Sequence, residues 1–104
     1  MKFRAYETDA QRCPFDEWFQ DLDGKLRRAV QRRLRAIEEF DHFGERKSLR
    51  GGLHELKFRR ALRIYFAEID GRVVLILGGS GKADQTTEIA KARARLKDYK
   101  QRIR

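Results

Sequence analysis

The dipeptide Asp70-Gly71, set between the alternating runs Leu62-Arg63-Ile64-Tyr65-Phe66-Ala67 and Val73-Val74-Leu75-Ile76-Leu77, constrains this chain more than any other feature. Asp-Gly between two apolar runs signals a tight hairpin, because both central residues must take a left-handed backbone to match the twist of the strands. Successive strand residues point to opposite faces. A two-residue loop sets Phe66 beside Leu75, Tyr65 opposite Ile76 and Arg63 near Gly78, so that Leu62, Ile64, Phe66, Leu75 and Leu77 share one face. A preceding strand over 53–58 divides His54, Leu56 and Phe58 from Leu53, Glu55 and Lys57. The expected sheet packs its aliphatic face on helices and leaves Glu55, Lys57, Arg63 and Tyr65 on a face open to solvent.

Helices are expected on both sides of this strand cluster in the sequence. Residues 2–7 alternate and read as a first strand. Cys13-Pro14 opens a helix carrying Phe15, Trp18, Phe19 and Leu22 at spacings of three and four, since proline suits the first helical position. Asp23-Gly24 interrupts it, and Asp23 can cap a longer helix with the stripe Leu26, Val30, Leu34, Ile37 and Phe40 that ends near Gly44. The polar stretch 45–52 reads as a loop. A last helix runs from about Gln85 to Tyr99 on Ile89, Ala92, Leu96 and Tyr99, capped by Asp84 or a nearby threonine, and the basic tail 97–104 is expected to fray. The order is β-α-α-β-β-β-α, an α+β fold with a small twisted antiparallel-rich sheet, a helical hairpin on one face and a C-terminal helix. At 104 residues the chain forms a single domain, 1–104, able to bury roughly two-thirds of its unfolded surface.

Charge narrows the partner. With 25 Lys and Arg against 16 Asp and Glu, a net charge of +9, the chain suits a polyanion or an acidic protein. A basic helix face of Lys25, Arg27, Arg28, Arg32 and Arg35 is consistent with nucleic acid or with simple solvation. The lone Cys13 fits a reducing compartment, and His42 and His54 offer no metal site with it, so no metal or cofactor is expected. No apolar run spans a membrane and no signal-peptide core is visible, so the expected location is the cytoplasm.

Gly78-Gly79-Ser80-Gly81-Lys82 follows a strand and precedes a helix, as phosphate loops do. The pattern nevertheless fails, because Ile76 stands where the first glycine belongs and Ala83 follows the lysine in place of Ser or Thr. Around one RNA phosphate, Lys57, Arg63, Tyr65 and Lys82 supply a different chemistry. Attack by the ribose 2′-hydroxyl needs a base, positive charge on the phosphorane and an acid for the leaving 5′ oxygen. A lysine crowded by arginine can serve as base, arginine makes paired contacts to phosphate, Glu55 is a rival base, and Tyr65 can stack on a nucleobase or donate a proton. On spacing alone these residues equally fit the solvent side of a sheet.

Three segments carry a resemblance: Phe15-Asp16-Glu17-Trp18, then Gly52-Leu53-His54-Glu55-Leu56-Lys57 leading to Arg63-Ile64-Tyr65-Phe66, then Gly78-Gly79-Ser80-Gly81-Lys82-Ala83-Asp84-Gln85 leading to Ile89-Ala90-Lys91-Ala92. Over roughly 13–99 the chain resembles the RelE/ParE toxin superfamily, most closely its HigB-like addiction-module killer branch. The resemblance implies a RelE-like fold, a toxin of a type II toxin–antitoxin module and metal-independent, ribosome-associated cleavage of messenger RNA. The implied partners are the ribosome, messenger RNA and a helix-turn-helix antitoxin in a hetero-oligomer, with no membrane. Lys57, Arg63 and Lys82 occupy positions where RNA-cleaving relatives keep basic groups, with Tyr65 and Glu55 beside them, and Arg46, Lys47, Arg59 and Arg60 are the expected RNA contacts. Lys57 replaces a commoner arginine and Ala83 a second arginine found in some RNA-cleaving relatives. The alternatives are a non-catalytic, ParE-like toxin that binds DNA gyrase, and a degenerate RNA-binding module.

Overall fold

The computed structural model describes residues 1–59, 62–81 and 83–103. Its elements are β1 (Lys2–Ala5), α1 (Pro14–Gln20), α2 (Gly24–Phe40), β2 (Arg46–Ser48), β3 (His54–Lys57), β4 (Arg63–Ile69), β5 (Val73–Ser80) and α3 (Gln85–Arg102). They form an α+β fold whose mixed five-stranded sheet has the order β1-β5-β4-β3-β2, with β1 parallel to β5 and every other pair antiparallel. β2 lies within the expected loop 45–52. It is a polar edge strand, three residues long, with no apolar alternation to announce it.

The Asp70-Gly71 turn forms with both residues left-handed, φ 53° and 68°, and the Arg72 N–H donates to the Ile69 carbonyl at 3.1 Å. Pairing then starts one residue later than a two-residue loop sets it, at Ile69 with Val73, so Phe66 lies opposite Ile76. A one-residue offset moves a strand's side chains to the other face. Val74 and Ile76, not Leu75 and Leu77, therefore join Leu56, Leu62, Ile64 and Phe66 in the core beneath α1 and α2, where Val30 and Ile37 are fully buried. Farther along, Tyr65 pairs with Gly78, leaving Leu77 as the extra residue of a bulge, and Arg63 ends up opposite Ser80 rather than Gly78.

The second face is not open. Leu53, Tyr65, Ala67, Leu75 and Leu77 form a core of their own with Tyr6 and with Ala92 and Leu96 of α3. The end of α3 is tied to the first strand and the segment after it: the Tyr6 hydroxyl donates to Asp98 at 2.5 Å, Arg4 donates to the Tyr99 hydroxyl at 2.7 Å, and Arg102 donates to the Glu7 carbonyl at 2.5 Å. The helix consequently runs on to Arg102, where the sequence leads one to expect fraying.

The helical hairpin is closer to expectation. Pro14 occupies the first turn of α1, and the Asp23 carboxylate accepts the Leu26 N–H at 2.9 Å as the cap of α2. The stripe ends early, because Asp41 takes a left-handed conformation (φ 55°) and stops the helix with Phe40 75% exposed. Among the described residues no helix is long and apolar enough to cross a membrane.

Candidate functional site

Two cross-strand rows at one end of the sheet, on the side covered by α3, bring the candidate residues together. At the margin Lys57 pairs with Arg63 and Arg63 with Ser80; one step inward Glu55 pairs with Tyr65 and Tyr65 with Gly78. Directly paired residues carry Cβ atoms about 5 Å apart, and diagonal ones remain within reach of long side chains. Arg63 thus meets Lys57 alongside and Glu55 on the diagonal.

Glu55 is the centre of a small polar network. It is 1% exposed, its Oε1 lies 4.0 Å from Arg63 Nε, and its Oε2 accepts from Gln85 Nε2 at 3.0 Å. A carboxylate removed from water in this way must be paired and hydrogen-bonded. The Arg63 guanidinium also donates from Nη1 to the Leu62 carbonyl at 3.0 Å, while its buried Nε has no hydrogen-bond partner among the described residues. Its side chain keeps 16% of its surface exposed, enough to present the guanidinium to a ligand from a fixed position.

The expected roles of Tyr65 and Glu55 do not fit this geometry. Tyr65 is fully buried under α3 with its hydroxyl 2.8 Å from Ser80 Oγ. Burial pushes the phenol's pKa up, a push the Ser80 hydrogen bond partly opposes. It has no open ring face for a nucleobase and no route to a leaving group. Glu55, enclosed, with Oε2 bonded to Gln85 and Oε1 facing Arg63, has no path to a 2′-hydroxyl, so its part is to face the guanidinium with the opposite charge. Both residues were expected on a solvent face, and α3 removes that face from water.

The glycine-rich segment also changes meaning. Gly78, Gly79 and Ser80 belong to β5 and make no loop. A methyl group at Gly79 would lie 2.4 Å from the Trp18 ring, and one at Gly78, whose φ is 150°, would lie 2.7 Å from Arg95 Nη1, which donates to the Leu77 carbonyl at 2.9 Å. These glycines let α1 and α3 approach the strand from opposite sides. Lys82 lies outside the described residues, as does Arg60.

Of the expected RNA contacts, Arg46 is engaged internally. It bonds Glu68 at 3.0 Å, approaches His54 Nδ1 at 3.4 Å and stacks over the Phe43 and Phe66 rings at 4.4 and 5.2 Å. Lys47, opposite Glu55 on the edge strand, and Arg59 are exposed. Arg59 and Lys57 border a cleft of about 550 Å³ against Lys25 and Arg32 of α2, so Lys57 is the member of the margin row that reaches the basic helix face. Arg33, in the same cleft, is spent on structure: it donates to the Phe43 carbonyl at 3.0 Å and to the Lys57 carbonyl, and lies over the Phe58 ring at 4.6 Å. No group of three or more His, Cys, Asp or Glu able to hold a metal occurs among the described residues. Sequence reasoning missed Ser80 and Gln85; both sit inside the Gly78–Gln85 segment, which was the available signal.

The chain is 29% identical over 82 residues to an uncharacterized protein of Haemophilus influenzae, in an alignment covering 76% of this chain and 82% of that protein. No protein-family model matches the chain.

Proposed function

We propose that this protein is a RelE-like toxin of a type II toxin–antitoxin module, a metal-independent endoribonuclease that cleaves messenger RNA on the ribosome. The observation that carries the reading is the direct pairing of Lys57 with Arg63 at the sheet margin, with the Arg63 guanidinium held by Glu55 and the Leu62 carbonyl. In the proposed reaction Lys57 takes the proton of the 2′-hydroxyl, and the 2′ oxygen attacks phosphorus. Arg63 binds the non-bridging oxygens as charge builds, with the paired contacts that only a guanidinium makes. The P–O5′ bond breaks and the 5′ oxygen takes a proton from water, leaving a cyclic 2′,3′-phosphate. Lys82 is assigned a second phosphate contact on the resemblance alone. The +9 charge and the basic cleft beside Lys57 support a polyanionic substrate. A helix-turn-helix antitoxin is the proposed neutralising partner.

Expression of the chain in bacteria should arrest growth, and co-expression of the neighbouring antitoxin should relieve it. Primer extension on messages from a translating extract should show discrete cleavage after addition of the pure protein. An intact message together with inhibited DNA supercoiling would replace this reading with gyrase binding.

A further inference from the structure

Gln85 carries no role in the proposed chemistry, yet among the described residues it makes the one hydrogen bond that joins α3 to the charged end of the sheet's polar network. It stands at the first residue of α3 and donates from Nε2 to Glu55 Oε2 at 3.0 Å. The other oxygen of that carboxylate faces Arg63 Nε at 4.0 Å, beyond hydrogen-bond length, and Nε has no other partner among the described residues. A buried carboxylate can rotate about its last torsion, which is broad and shallow for glutamate. The amide of Gln85 fixes that rotation and so sets the direction from which the free oxygen faces Arg63.

We infer that Gln85 is a positioning residue for Arg63, acting through Glu55, so that the docking of α3 on the sheet is a condition for a competent site. The inference rests on the endoribonuclease reading for its catalytic consequence, but its structural half stands on the Gln85–Glu55–Arg63 geometry alone. The helix that covers the sheet face supplies the contact that aims the guanidinium. Small misplacements of a catalytic group lose rate out of proportion to their size. Loss of the amide should therefore act on turnover and leave substrate binding, which depends on the wider basic surface, unchanged.

The test compares Gln85→Leu, which removes the donor, with Gln85→Lys, which returns a donor to Glu55 Oε2. Steady-state cleavage of a defined message programmed on purified ribosomes should show kcat reduced about tenfold to a hundredfold in Gln85→Leu at unchanged KM, with kcat near wild type in Gln85→Lys. The second readout is the Arg63 Nε–Hε cross-peak in a nitrogen-15 spectrum, assigned by its disappearance in Arg63→Lys. It should shift and broaden in Gln85→Leu and hold its sharpness in Gln85→Lys. Equal kcat in all three proteins, or equal loss in both variants, overturns the inference. Should Gln85→Leu fail to fold, Gln85→Glu, which sets a like charge against Glu55, takes its place with the same expected loss. If the wild type cleaves no message, the function proposed above falls and the cross-peak alone decides: displaced in Gln85→Leu, the positioning claim stands; unmoved, it fails.

Discussion

The two faces of the sheet are both buried, yet they are built from different material. The face toward α1 and α2 is closed by Val30, Ile37, Leu56, Leu62, Ile64, Phe66, Val74 and Ile76, with Arg46 laid over aromatic rings at its rim. The face toward α3 is apolar along Leu53, Ala67, Leu75 and Leu77 and then turns polar. Glu55 and Ser80, the two polar side chains buried among the described residues, both lie there, beside Tyr65 and Arg63. One face is shaped by packing, which tolerates no partner but another side chain. The other trades part of its packing for a hydrogen-bonded carboxylate that faces a cation at the margin. Buried polar networks rigidify a site when every member is satisfied, and here Arg63 Nε is the member without a partner among the described residues. The proposed chemistry therefore sits where the core is least oily.

Breaking the comparison is easiest from the hairpin side. Phe66→Ala, at a side chain with no exposed surface, should cost about 3–5 kcal/mol in denaturant unfolding, a large part of the roughly 5–15 kcal/mol that holds a domain of this kind together. A cost below about 1 kcal/mol would mean that the hairpin core is loosely packed. From the opposite side, Arg63→Ala should lower message cleavage on the order of a hundredfold or more, about what one oxyanion-type donor contributes, while circular dichroism shows a retained secondary structure. Full toxicity in that variant would remove Arg63 from the chemistry. The smallest effect sharpens the division inside the polar face itself. Tyr65→Phe deletes the hydroxyl at Ser80 and should cost about 1 kcal/mol of stability. Its cleavage rate should stay within about twofold of wild type, as expected of a buried phenol that no substrate touches.

Much of the fold could be read from residue order. Pro14 and Asp23 announce local geometry through their own backbone and hydrogen-bonding preferences, and the structure has both where those preferences put them, while Asp70 and Gly71 take the expected left-handed backbone in a loop one residue longer than expected. The register of β5 was not legible. Arg72 is taken into the loop and Leu77 into a bulge, and neither event leaves a mark in an alternating apolar run. The short strand Arg46–Ser48 was hidden for a related reason, since a polar edge strand has only its neighbour's backbone to form on. Of the candidate site, the grouping of Glu55, Lys57, Arg63 and Tyr65 on one face follows directly from alternation. Whether that face is wet does not.

By itself, then, the sequence determined which residues share a strand face, where the chain turns and caps, and that the surface is strongly basic. Those properties depend on neighbours a few positions apart and on summed charge. The tertiary structure alone decided that α3 lies across the polar face, that Tyr65 and Glu55 are buried beneath it, and that Gln85 reaches Glu55 from thirty residues away. Such outcomes depend on which long-range surface closes over another, and burial is a property of the whole packing that no local pattern encodes.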